Sequence, residues 1–157
     1  MAYLCGLHAV SALLGSQRMK IQRLLVERSK SQQYKQQITQ AKGLGCRVDI
    51  LPDLSQQFRG SRHQGIGAEF DFVWADRSVL FDSPNALVLV LDRIQDPHNF
   101  GACLRSAAAF GVDAVLISER GSAPMTEVVH QASCGGSIKV PVVSVGNIKQ
   151  VMSEMRD

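Results

Sequence analysis

Apolar residues recur at helical spacing at the start of the chain: Leu4, Leu7, Val10, Leu13 and Leu14 share one face, and Gly15 supplies a stop. Ile21–Val26 is a short apolar-rich strand candidate. Ser31–Leu44 reads as a polar, Gln-rich helix closed by Gly45. Val48 and Ile50 then alternate with polar neighbours over Arg47–Leu51, a strand that Pro52 ends. A short helix at Asp53–Phe58 and a strand at Ile66–Val73 complete a first α/β block. After Asp76–Asn85, a polar stretch with Ser-Pro turn chemistry, the pattern becomes more regular. Ala86–Leu91 and Ala114–Ile117 are continuous apolar runs, as expected of strands buried on both faces, and Val140–Val143 is a third. Helical patterns follow each of them, at Asn99–Phe110, at Thr126–Cys134 and at Ile148–Met155, with Asn147 as the N-cap of the last. This β-α-β-α-β-α order predicts a parallel sheet with right-handed crossovers. The expected division is therefore 1–76 and 86–157, joined by a linker at 77–85. Three parallel strands alone leave an unpaired edge, which points to further sequence or a partner chain.

Charge sharpens the division. Residues 1–80 carry 11 basic and 6 acidic side chains, whereas residues 81–157 carry 6 and 8. Between Arg18 and Arg47, eight basic residues face Glu27 as the sole acid, so a polyanion partner suits the first block, with a solvated basic face as the alternative. Cys5, Cys46, Cys103 and Cys134 show neither a CxxC spacing nor a Cys/His cluster, so no metal site is expected. Reduced thiols, the absence of a signal-peptide pattern and the absence of a run of about 18 apolar residues predict a cytoplasmic protein without a membrane partner.

In open parallel sheets, ligands gather beyond the carboxyl ends of the strands. The segment after Ala86–Leu91 lies there and carries Asp92, Arg93, Asp96, His98 and Asn99 just before a helix start, where free backbone N–H groups favour an anion. Arg105, one turn beyond Gly101, can clamp a phosphate or stabilise charge on a reacting ribose oxygen. The competing reading pairs it with Asp92 or Asp96 as a tie between helix and strand end. In the first block, Arg59, Arg62, His63 and Gln64 form a basic loop suited to RNA contact, against the alternative of a turn-stabilising pair. Gly65-Ile-Gly67 lacks the third glycine of a dinucleotide fingerprint, and no Gly-Lys-Ser/Thr loop exists, which argues against nicotinamide- and ATP-dependent enzymes.

The run Leu89-Val-Leu-Asp92-Arg-Ile-Gln-Asp96-Pro-His-Asn99-Phe-Gly101-Ala-Cys-Leu-Arg105 closely resembles the first signature motif of the SpoU/TrmH RNA 2′-O-ribose methyltransferases of the SPOUT superfamily. Phe110–Ile117 and Ala132-Ser-Cys-Gly135-Gly-Ser…Val140-Pro141 are also similar to that family. Gly6-Leu-His8-Ala-Val10 and His63-Gln-Gly65-Ile-Gly-Ala68 resemble its substrate-binding domain, itself related to small ribosomal RNA-binding proteins. The resemblance implies a small α/β RNA-binding domain followed by the N-terminal part of a Rossmann-like methyltransferase domain. It implies methyl transfer from S-adenosylmethionine to a ribose 2′-hydroxyl, most closely as in members acting on guanosine of large-subunit ribosomal RNA. Arg105 then corresponds to the motif arginine regarded as catalytic and Asn99 to the asparagine that shapes the site. An arginine stays protonated, so orientation and charge stabilisation suit Arg105 better than proton removal. Family members are typically homodimers. Two further motifs, which hold the methyl donor, are expected beyond Asp157, and an RNA-binding module without its own catalysis is the alternative function.

Overall fold

The computed structural model describes residues 1–156 and divides into two compact units, Met1–Val73 and Trp74–Asp157. Asp157, the last position of the expected second domain, lies outside the described residues.

In the first unit, β1 (Ala2–Cys5), α1 (Leu7–Leu14), β2 (Lys20–Glu27), α2 (Lys35–Gly43), β3 (Arg47–Leu51) and β4 (Ile66–Asp71) follow one another. The sheet order is β1-β4-β2-β3; β4 runs antiparallel to β1 and β2, and β2 runs parallel to β3. Leu4 belongs to β1 and not to the first helix: Gly6, at φ 89, turns the chain, so the Leu4–Leu7 spacing crosses a strand–helix junction. Ala9, Val10, Leu13 and Leu14 of α1 are buried. Leu25, facing the other way from Leu24 and Val26, packs with Leu54 and Phe58. Asp53–Phe58 is not a helix but a single turn, closed by the Phe58 N–H donating to the Leu54 carbonyl at 3.0 Å. Its apolar residues pin it to the sheet, and Gly67 makes that possible, because a Cβ there would fall on the Phe58 ring. The Gln-rich helix also starts late, at Lys35, after a 3-10 turn at Arg28–Lys30.

The second unit runs β5 (Val88–Leu91), α3 (Pro97–Ala109), β6 (Ala114–Ser118), α4 (Glu127–Ala132), α5 (Gly136–Lys139), β7 (Val142–Val145) and α6 (Ile148–Glu154). The sheet is parallel, in the order β5-β6-β7. The expected α/β class and parallel second sheet are therefore present. Central β6 is buried throughout, but β5 is a half-buried edge strand, which corrects its reading as a strand covered on both faces. Residues Arg77–Phe81, expected in the linker, form a 3-10 helix whose buried Leu80 joins Ala114, Leu116, Val143 and Val151 in one core. The helix expected over Thr126–Cys134 ends at Ala132, and α5 follows a break at Cys134 (φ 49) and Gly135 (φ 92).

Candidate functional site

Two polar loops carry the residues singled out in the sequence. One lies in each unit.

In the second unit, the motif segment leaves the carboxyl end of β5. Asp96 is the N-cap of α3: its Oδ1 accepts the Asn99 N–H at 2.7 Å, and Pro97 occupies the first turn. The chain's own carboxylate thus takes the Asn99 N–H and Pro97 has none, which leaves the His98 N–H of the helix start that the sequence offered to an anion. Phe100 and Leu104 are fully buried at i, i+4 spacing, whereas Asn99 and Arg105 are exposed. Among the described residues, the Arg105 side chain makes no hydrogen bond or ion pair. The tie to Asp92 or Asp96 is not formed; Asp92 lies 3.7 Å from Arg93 Nε, and Asp96 caps the helix. Gly101, inside the same motif, serves packing: an added Cβ would sit 2.5 Å from Ala132 Cβ and 2.7 Å from the Val129 carbonyl oxygen. Gly136 repeats this against the Leu104 carbonyl, so α3 approaches α4 and α5 through two glycines.

Beneath that contact His130 is fully buried with Ser133 and Ser137. His130 Nδ1 lies 2.9 Å from Ser137 Oγ, and Ser133 Oγ donates to the His130 carbonyl at 2.7 Å. Burial lowers the imidazole pKa to about 4, so the ring is neutral at pH 7. Beside the carboxyl-terminal ends of β6 and β7, a cavity of about 490 Å³ is lined by Trp74, Ser118, Glu119, Ser122, Pro124 and Ser144, among others.

In the first unit, Arg59, Arg62 and Gln64 are exposed and His63 is half-buried, but His63 and Gln64 both hold backbone N–H groups of the fold. Gln64 adopts φ 57; its Oε1 accepts the Leu7 N–H at 3.0 Å, capping the start of α1, and its carbonyl accepts the Tyr34 hydroxyl at 2.7 Å. His63 Nδ1 accepts the Gly65 N–H at 3.1 Å and stands 3.6 Å from Glu27 Oε1. Glu27, Asp53 and His63 offer ligand atoms within 4.8 Å of one another, a trio that sequence spacing did not reveal. Each already serves the loops: Glu27 Oε1 accepts the Leu54 N–H, and Asp53 Oδ1 accepts from Ser55. Ser55 thereby holds the Asp53 carboxyl below the usual carboxylate range. Tyr34, Glu27 and Asp53 escaped the sequence reading because their partners lie 10 to 36 positions away. The structure thus groups His63 and Gln64 as a braced turn and leaves Arg59, Arg62, Asn99 and Arg105 facing solvent.

Other features bear on where such a protein can act. The four cysteines are free thiols, and among the described residues no helix is long and apolar enough to cross a membrane.

Comparison with known proteins extends the geometry. Residues 3–73 match the model for RNA 2′-O ribose methyltransferase substrate binding, and residues 86–157 match that of the SpoU rRNA Methylase family. The chain is 36% identical over 156 residues to the 23S rRNA (guanosine-2′-O-)-methyltransferase RlmB of Coxiella burnetii, covering 94% of this chain and 62% of that protein. Against the RlmB of Xanthomonas axonopodis pv. citri it is 34% identical, over 98% of this chain and 66% of the relative. The chain therefore spans a little under two thirds of the length of these relatives. Among solved structures, the AdoMet-bound rRNA methyltransferase from Sinorhizobium meliloti superposes with a TM-score of 0.78 at 22% identity, over 99% of this chain and 57% of that one. The SpoU methyltransferase AviRb from Streptomyces viridochromogenes, in complex with AdoMet, gives 0.76 at 19% identity, over 97% and 58%.

Proposed function

The chain belongs to the SpoU rRNA methylase family, and from that membership we propose that it takes part in S-adenosylmethionine-dependent methylation of a ribose 2′-hydroxyl, on guanosine of large-subunit ribosomal RNA. The observation that carries this reading is the exposed Arg105 side chain, unpaired among the described residues, on a helix where Asp96 caps and Phe100, Gly101 and Leu104 pack. A neutral 2′-hydroxyl is a weak nucleophile, so the site must orient it and stabilise the charge that develops on its oxygen. Arg105 supplies a fixed positive charge for that purpose, and Asn99, six residues earlier in the first turn of the same helix, supplies a neutral donor and acceptor for the ribose-phosphate. The first unit, Met1–Val73, holds the RNA; Arg59 and Arg62 contact phosphates, while His63 and Gln64 set the shape of the loop that presents them. Residues 86–157 carry the methyl-transfer motif, with 77–85 between the two.

S-adenosylmethionine supplies the methyl group. The cavity beside β6 and β7 fits a share of it: Glu119 offers a carboxylate acceptor for ribose hydroxyls, and Ser118, Ser122 and Ser144 offer hydroxyls. The protein is cytoplasmic, like its substrate's assembly, and works as a homodimer.

The test supplies labelled S-adenosylmethionine and a large-subunit ribosomal RNA transcript. A 2′-O-methyl group removes the nucleophile for alkaline cleavage, so transfer leaves a labelled, alkali-resistant dinucleotide containing guanosine. Transfer lost in Arg105→Ala with RNA binding retained supports the reading. RNA binding without cofactor binding or transfer leaves an RNA-binding module, and no RNA binding even at low salt overturns both.

A further inference from the structure

Arg93 sits in the motif loop between β5 and α3 with φ 50, a left-handed conformation that bulky residues rarely adopt. Such strain persists only where the surroundings impose it, and it concentrates at functional positions. Here the surroundings are visible. The Arg93 N–H donates to Ser118 Oγ at 2.8 Å, Ser118 Oγ lies 2.9 Å from Ser122 Oγ, and the Ala123 N–H donates to the Ile94 carbonyl at 2.6 Å. The loops after β5 and β6 are thus stitched together through backbone and hydroxyl groups that a glycine at position 93 would satisfy equally well.

The side chain has its own cradle. Gly121, at φ 83, lies under it, and a Cβ at that position would stand 3.0 and 3.2 Å from Arg93 Cγ and Cδ. The aliphatic stem is therefore laid across Gly121, while the side chain as a whole is 72% exposed. Among the described residues it pairs with Asp92, with Oδ1 3.7 Å from Nε and 61% of the side chain exposed, a pairing that contributes little in water. The fold positions this guanidinium but makes no other use of it, and its open edge matches the geometry of a phosphate.

We propose that Arg93 is an RNA-phosphate contact of the motif loop, a cation held in place by a strained backbone and the Gly121 cradle. This rests on the reading of the chain as an RNA-binding methylase and adds a substrate-positioning residue beyond Asn99 and Arg105.

The test measures anisotropy of a fluorescein-labelled stem-loop transcribed from large-subunit ribosomal RNA, mixed with the full chain between about 50 and 200 mM salt. Arg93→Gly is expected to bind about tenfold more weakly and to lower the slope of log affinity against log salt by about 0.9, one phosphate's share. Its melting temperature is expected to hold or rise, since glycine adopts this φ without penalty. Arg93→Lys keeps the charge and should restore the slope. An unchanged slope in Arg93→Gly, or a fall in its melting temperature with the slope intact, overturns the proposal and leaves the RNA-binding reading standing. Failure of the unsubstituted chain to bind the stem-loop overturns both.

Discussion

The polar loop of the first unit and the motif loop of the other are alike in sequence, each a short run of Arg, His, Asn or Gln beside glycine, and both leave their arginines exposed, yet different groups brace them. In Arg59–Gly65, the His63 and Gln64 side chains accept the Gly65 and Leu7 N–H groups, and the Tyr34 hydroxyl locks the Gln64 carbonyl. In Asp92–Arg105 the bracing is done by Asp96, Ser118, Gly101 and the backbone, and the cations are left over. A polar residue whose hydrogen bonds the fold consumes is scaffolding, and one the fold supports but does not consume is available to a ligand. The difference appears only in the hydrogen bonds.

Acid gives the largest separation of the two units. His130 is held neutral with a pKa of about 4 against 6.5 unfolded, so below pH 6.5 the unfolded chain takes up a proton that the folded one refuses. The His130 contribution to the stability of the second unit is therefore complete above pH 6.5 and falls by about 3 kcal/mol as pH drops to 4. In the first unit, Asp49 is held below its ordinary value of 3.8 by hydrogen bonds from Arg47 and Arg23, so that contribution is lost only at more acid pH. The single tryptophan, Trp74, reports on the second unit and the two tyrosines, Tyr3 and Tyr34, on the first. Urea melts followed by the two emissions at pH 7 and pH 5 should show the tryptophan transition moving and the tyrosine transition staying. Coincident movement would break the distinction.

Gly101→Ala ranks next. The added methyl meets Ala132 and the Val129 carbonyl, and forced overpacking of this kind costs roughly 2 kcal/mol. The tryptophan transition should again move alone. Tyr34→Phe removes the lock on the Gln64 carbonyl and should cost about 1 kcal/mol in the first unit, read by circular dichroism because the substitution removes one of the two tyrosine reporters. Smallest is Arg105→Ala, within about 0.5 kcal/mol of the parent by urea melt, because nothing in the fold depends on that side chain. A larger loss would place Arg105 with the scaffolding residues and erase the contrast between the loops.

Much of this architecture was legible because it is local. The alternation in Arg47–Leu51, the apolar run at Ala114, the Asn147 cap and the β-α order all follow from spacing along a few residues, and the structure has each of them. What misled was composition read without its neighbours. Leu4 keeps helical spacing with Leu7 although Gly6 reverses the chain between them, and Val88–Leu91 is apolar enough for a central strand but lies at an edge. The capping role of Gln64 depends on a backbone amide 57 positions away, and the left-handed Arg93 depends on Ser118 and Gly121. Such nonlocal constraints leave no periodic trace. Gly101 illustrates the same limit inside the motif itself: the sequence marks it as a motif position, and only its surroundings show a helix contact.

Phe58 lies on the strand surface that Gly67 leaves bare, and this ties two positions in descent as well as in space. A lineage cannot place a side chain at 67 until it has shrunk the ring at 58, and one that has lost the ring no longer needs the glycine. Among relatives the two positions should therefore change together or not at all, with the intermediate holding both a ring and a side chain missing from the record.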